Sequence, residues 1–108
     1  MADAGLPVRA RLGAGAPQAL VLTPLVLVMG SRAGLSIDQL DDVAMAIEII
    51  LRGAPRERSV ELRAQPGSLE VAIGAVDGDW LDRRMPLLSA LVTNVRHDGG
   101  SVVLGVRI

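Results

Sequence analysis

The feature that most constrains the fold is a capped amphipathic helix near the middle of the chain. Ser36 and Gln39 have the capping-box spacing, in which each side chain accepts a hydrogen bond from the other residue's backbone N–H. Apolar residues then recur at helical spacing at Ile37, Leu40, Val43, Ala44, Ile47, Ile50 and Leu51. Gly53 and Pro55 end the helix. Because such a helix must bury its apolar face, the rest of the chain has to supply a second layer.

Four segments alternate apolar and polar residues with the period of a β-strand. They are residues 6–12, 60–65, 69–74 and 101–108. The middle two flank residues 65–68, Gln-Pro-Gly-Ser, where Pro and Gly occupy the central positions of a type II turn. These two segments are therefore expected to form a hairpin.

Two more helices complete the set of predicted elements. Residues 17–32 are rich in Val and Leu, which favour a strand, but their length without turn residues favours a helix. Pro24 would bend that helix, because it cannot donate to the Leu20 carbonyl. Pro86 opens another amphipathic helix that ends before Gly99 and Gly100, whereas residues 76–84 are predicted as a loop.

The order strand, helix, helix, strand, strand, helix, strand predicts a two-layer α/β sandwich. In it, a mixed four-stranded sheet is covered on one face by three helices. A chain of 108 residues is long enough for a single core. We therefore expect one domain spanning residues 1–108.

Composition excludes several classes of function. The chain has no Cys, and its 11 basic and 12 acidic residues are dispersed, so neither thiolate chemistry nor a nucleic-acid-binding face is expected. The apolar run at residues 20–29 is too short for a membrane span, which needs about 20 residues. A secretory leader is the alternative, since Arg9 and Arg11 precede this run, but Arg32 interrupts the cleavage site. We expect a cytoplasmic protein.

Several local sequences then point to a known family. They are residues 16–20 (Ala-Pro-Gln-Ala-Leu), 32–36 (Arg-Ala-Gly-Leu-Ser) and 42–48 (Asp-Val-Ala-Met-Ala-Ile-Glu). With the order of elements, they resemble the ATP-binding domain of bacterial anti-sigma-factor serine kinases, in the histidine-kinase-like (GHKL) ATPase superfamily. The resemblance spans nearly the whole chain and is mostly of scaffold residues. It implies a degenerate member of that superfamily, because the residues that handle the nucleotide have largely been lost.

The resemblance implies catalytic residues on the second helix. There, a Glu orients or deprotonates the attacking group, and an Asn four residues later binds Mg²⁺ through its oxygen. Glu48 matches the Glu, but Arg52 stands at the Asn position. A guanidinium has no acceptor lone pair and cannot bind a cation. We instead expect Glu48 and Arg52 to form an exposed i,i+4 ion pair.

The resemblance also implies an Asp-x-Gly-x-Gly box for adenine and a Gly-rich lid over the phosphates. With Trp80 aligned to the family's Phe, the box falls on Ala75, Asp77 and Asp79, none of which matches. A shifted alternative on Asp77 and Gly78 recovers one Asp-Gly step. The lid would be residues 81–85, which contain no Gly to bring backbone N–H groups to phosphates. We expect no cofactor and no metal.

The remaining candidates have ordinary structural explanations. Asp77, Asp79 and Asp82 are expected to form an exposed acidic turn, because a hard cation needs six or more oxygens. His97 is the sole His and is expected at a helix end, where it is neither a zinc ligand nor a triad base. Trp80 is expected to cover one end of the sheet, with an exposed partner-binding role as the alternative.

Three functions remain open. The first is a non-catalytic regulatory module that binds a protein, by resemblance a sigma factor or an anti-sigma antagonist. The second is an ATP-dependent anti-sigma-factor serine/threonine kinase, which would use ATP and Mg²⁺. The third is a dimerisation or scaffold domain, since residues 25–29 are more apolar than a small monomer needs. A homodimer is expected, with no membrane or nucleic-acid partner.

Overall fold

The computed structural model describes residues 7–15, 17–53 and 56–108, so that Leu6, Ala16 and Pro55 lie outside the described residues. The elements along the chain are β1 (Val8–Leu12), α1 (Gln18–Arg32), α2 (Ile37–Leu51), β2 (Arg58–Gln65), β3 (Ser68–Ile73), α3 (Gly78–Asp82), α4 (Met85–Leu91), β4 (Asn94–Asp98) and β5 (Ser101–Arg107). The strands form one sheet in the order β1-β2-β3-β5-β4.

The predicted fold class is confirmed. Within the described residues, however, the sheet has five strands rather than four and is antiparallel throughout rather than mixed, and there are four helices rather than three. The helix predicted to run from Pro86 to the two glycines stops at Leu91. Residues 94–98 then form β4, in which Val95 pairs with Leu104 of β5. Gly99 and Gly100 both have positive φ, 58° and 87°, as a tight two-residue hairpin turn requires. The glycines therefore connect two strands instead of ending a helix.

The β2–β3 hairpin is confirmed in the expected place. Val60 pairs with Ile73 and Leu62 with Val71, and the turn contains Gly67 at a φ of 84°. Alternate side chains of the central strands are buried on one face, which we call the covered face: Val60, Leu62, Leu69, Val71, Ile73, Val102, Leu104 and Val106. The intervening side chains lie on the opposite face, where Glu61, Glu70 and Ala72 are half-buried and Val103 is buried.

Helix α2 forms as the capping box predicts. The Ser36 hydroxyl accepts from the Gln39 N–H at 3.1 Å, and the Gln39 side-chain oxygen accepts from the Ser36 N–H at 2.9 Å. The Gln39 amide also donates to the Arg107 carbonyl at 2.9 Å. The start of α2 is thereby fixed to the end of β5, which orients its apolar face onto the core.

Helix α1 forms despite Pro24, which lies within it. Leu22 and Val26 are almost fully buried, whereas Leu20, Val21 and Val28 are more than half exposed. The helix is therefore apolar on both its inner and its outer side. Within the described residues, no helix is long and apolar enough to cross a membrane.

Candidate functional site

Glu48 and Arg52 lie near the end of α2, and both side chains are exposed. They line an open cleft of about 330 Å³ between the end of α2 and the start of α1, together with Gln18, Leu20 and Leu51. Among the ion pairs of the described residues, none joins Glu48 to Arg52. The expected i,i+4 ion pair is therefore wrong, because two exposed side chains gain little by pairing in water.

Ala75, Asp77 and Asp79, the positions of the adenine box, follow β3. Ala75 has a φ of 59°, in the left-handed region that residues with a Cβ disfavour. The Asp77 carboxylate accepts from the Asp79 N–H at 3.2 Å and caps α3, so that the expected loop contains a one-turn helix. Ala75 and Asp77 line a second, smaller hollow of about 80 Å³. No group of three or more acidic or His side chains in the described ranges could hold a metal ion.

Arg58, the first residue of β2, separates these two spaces. Its side chain lines the 80 Å³ hollow, and its Nε donates to the Gln18 side-chain oxygen at 3.1 Å. Gln18 lines the larger cleft, while Gly53 borders both spaces. Arg58 is only 3% exposed. The structure thus places Glu48 and Arg52 on one side of an Arg58–Gln18 bridge, and Ala75 and Asp77 on the other.

Together, the two bridging side chains bind backbone carbonyls from several parts of the chain. The Arg58 Nη1 donates to the Ala75 carbonyl at 2.7 Å and to the Gly74 carbonyl at 3.4 Å. The Gln18 amide nitrogen donates to the Arg56 carbonyl at 2.7 Å and to the Gly13 carbonyl at 3.1 Å. No buried side-chain nitrogen or oxygen lacks a partner among the residues that the structure describes. The bridge therefore satisfies the carbonyls at one end of the sheet.

In the contacts that the structure describes, the Arg58 guanidinium donates to two backbone carbonyls and one side-chain amide oxygen. Burial lowers the pKa of the Arg58 guanidinium from its usual value, and the nearby charge of Arg56 lowers the pKa further. Arginine is so basic that it nevertheless remains protonated at neutral pH. A permanent positive charge therefore occupies the space between the two cavities.

Trp80 closes the small hollow from the side of α3. It is half-buried and packs against the core, which confirms the packing interpretation. The Arg84 guanidinium lies 3.7 Å from the centre of its ring and donates to the Trp80 carbonyl at 3.0 Å. Because the Trp80 indole packs between the core and the Arg84 guanidinium, it is a poor candidate for an exposed partner-binding residue.

His97 was expected at a helix end, and this expectation is wrong because the residue belongs to β4. It is exposed, and its ring lies against Gly78 at the start of α3: a Cβ added there would be 3.0 Å from the ring. With no second His in the chain, this position offers no metal site.

Sequence reasoning missed the Arg58–Gln18 bridge. A signal was present, since Arg58 is two and four residues before Val60 and Leu62 and therefore shares their buried face. An Arg at such a position must find partners for its donors. Its partners are distant in sequence, however, so the bridge itself became visible only in the structure.

No family model matches the chain, and no curated protein matches it. A solved structure of the RsbU and RsbW domains of Rv1364c from Mycobacterium tuberculosis is similar, with a TM-score of 0.69 and 17% sequence identity. The match covers 94% of this chain and 32% of the other, so that this chain spans about a third of that protein's length. The fold of this chain thus resembles about a third of that structure.

Proposed function

We propose that this chain is a non-catalytic regulatory module that binds a protein partner and does not bind ATP. The observation that carries this proposal is the Arg58–Gln18 bridge, which separates the two spaces where the resemblance would require one continuous nucleotide site. The hollow beside Ala75 has a volume of about 80 Å³, which is smaller than the about 300–1,000 Å³ of typical ligand pockets.

The chemistry of the surrounding residues supports the same conclusion. Arg52 offers no oxygen to Mg²⁺, which binds oxygen ligands. Ala75 has no carboxylate to accept a hydrogen bond from the adenine amino group. The segment expected to form a lid is largely helical, and the N–H groups of Leu81 and Arg84 already donate to the Asp77 and Leu81 carbonyls. These N–H groups are therefore not available to phosphates.

The class of partner follows from analogy. The sequence resemblance to anti-sigma-factor kinases and the fold likeness to an RsbU–RsbW protein support a sigma factor or an anti-sigma antagonist as the partner, in the cytoplasm. Retention of a purified sigma factor or a purified anti-sigma antagonist on the immobilised chain, quantified by surface plasmon resonance, tests this proposal. The absence of binding to both classes would contradict it.

Thermal unfolding with and without millimolar Mg-ATP tests the loss of nucleotide binding. A ligand at about 100 times its Kd stabilises the native state by about 2.7 kcal/mol. For a domain of this size, that free energy corresponds to a rise in Tm of about 10 °C. We expect no change relative to Mg²⁺ alone. A clear rise would support the alternative function, an ATP-dependent serine/threonine kinase.

A dimerisation or scaffold role is the second candidate, because the outer side of α1 exposes apolar side chains. Leu20 is 75% exposed and Val28 52%, whereas Val26, in the segment first expected to associate, is fully buried. Light scattering at tens of micromolar should therefore give a dimeric mass that Leu20→Asp lowers toward that of a monomer. A monomeric mass for the unaltered chain would contradict this role.

A further inference from the structure

Several chain segments that are far apart in sequence meet at the Arg58–Gln18 bridge. Gln18 lies in the first turn of α1, Arg56 and Arg58 border the start of β2, and Gly74 and Ala75 follow β3. Here, side chains of the protein itself join them.

We propose that the Arg58 guanidinium acts as an internal ligand, which fixes the shape of this end of the domain without a bound molecule. This inference rests on the proposed loss of nucleotide binding. Because no nucleotide then binds, the surfaces around the bridge stay in one conformation. A partner that recognises the start of α1, the end of α2 or the loop after β3 would then bind independently of nucleotide.

The geometry of the guanidinium suits this role. Its planar group carries five N–H donors in a fixed arrangement. The Nε reaches Gln18 on the α1 side at 3.1 Å, while the Nη1 reaches the Ala75 carbonyl at the end of β3 at 2.7 Å. A single rigid group therefore contacts both sides of the gap, which a flexible ammonium with one nitrogen could not do equally well.

The conformation of Ala75 indicates that the bridge constrains the loop. A φ of 59° is unfavourable for a residue with a Cβ, and the Ala75 side chain is exposed. Its carbonyl, however, accepts the shortest hydrogen bond of the Arg58 guanidinium that the structure describes. This bond aims the carbonyl at Arg58 and offsets the unfavourable backbone conformation.

The test compares Arg58→Ala with Arg56→Ala, which removes an exposed arginine from the same hollow. Hydrogen–deuterium exchange and Tm are measured for both variants and for the unaltered chain. For Arg58→Ala, we expect a Tm lower by about 10 °C. We also expect the increase in exchange rate to be about tenfold larger in residues 17–21 and 74–81 than in β2 and β3. Arg56→Ala should change neither quantity appreciably.

Methylguanidinium at millimolar concentration provides a second readout, since it can refill the space that Arg58→Ala leaves. It should restore at least half of the lost Tm in Arg58→Ala and none in Arg56→Ala. If Arg58→Ala does not fold, Arg58→Gln, which keeps an amide donor, replaces it and should show the same local exchange at a smaller loss of Tm.

Uniform acceleration of exchange, or a loss of Tm without rescue, would overturn the role of internal ligand. Mg-ATP added to the unaltered chain separates this inference from the proposed function. A rise in Tm with ATP would refute the loss of nucleotide binding, whatever the Arg58 variants show. An unchanged Tm with ATP, together with uniform exchange in Arg58→Ala, would refute only the internal ligand.

Discussion

Restoring the two residues that the family resemblance requires should not give this chain an ATP site. The double variant Arg52→Asn with Ala75→Asp would supply an oxygen for Mg²⁺ and a carboxylate for adenine. These two positions nevertheless lie on opposite sides of the Arg58–Gln18 bridge. Because Arg56 and Arg58 line the same hollow as residue 75, the new carboxylate would pair with a guanidinium instead of binding adenine.

The expected magnitude follows from ligand linkage. Binding of ATP at about 100 times its Kd would add about 2.7 kcal/mol, and a Tm rise of about 10 °C. For the double variant, we expect less than about 2 °C, close to the precision of thermal unfolding. Asp tolerates the left-handed region better than Ala does, so the substitution at position 75 should leave the fold intact. Circular dichroism checks this directly.

Differential scanning calorimetry with millimolar Mg-ATP is the assay, and a triple variant that adds Arg58→Gln is the matched comparison. A Tm rise in the triple variant alone would identify the guanidinium as the group that closes the site. A rise in the double variant would refute the reasoning, because the bridge would then have to move aside for the nucleotide.

Three further predictions concern stability. Ser36→Ala removes one hydroxyl of the capping box and should lower the free energy of unfolding by about 1 kcal/mol, measured by urea denaturation. Ala75→Gly should raise it by up to about 1 kcal/mol, because Gly adopts a φ of 59° without a Cβ penalty; a decrease would mean that the methyl group packs. The hydrogen bond from Arg9 lowers the pKa of Glu61. The contribution of the Arg9–Glu61 hydrogen bond to stability is therefore present above the usual pKa of a glutamate and lost as the pH falls below about 4. Glu61→Gln should weaken this part of the acid dependence of the free energy of unfolding.

The sequence predicted those elements whose signals are local. The capping box at Ser36 and the turn around Gly67 involve residues three or four apart, and the structure contains both as expected. Strand β4 was missed because Val95 is its only apolar residue, so the alternation that reveals other strands is absent. The glycines that follow it are equally common after helices and in hairpins.

The candidate site was predictable only in part. Their spacing along α2 predicted that Glu48 and Arg52 share one face, and both residues line the cleft beside α1. The partners of Arg58 could not be predicted, because Gln18 and Ala75 are 40 residues before it and 17 residues after it. Which backbone carbonyls a buried arginine meets depends on the tertiary arrangement of loops, and no local pattern encodes this.

The two edge strands bear on how this chain can associate. β1 and β4 have only five residues each, Pro7 precedes β1, and the outward side chains include Arg9, Arg11 and Arg96. Short edges with charged side chains and a nearby proline resist pairing with further strands. Copies of this chain should therefore meet through side-chain surfaces such as the outer side of α1, and concentrated solutions should yield discrete assemblies instead of fibres.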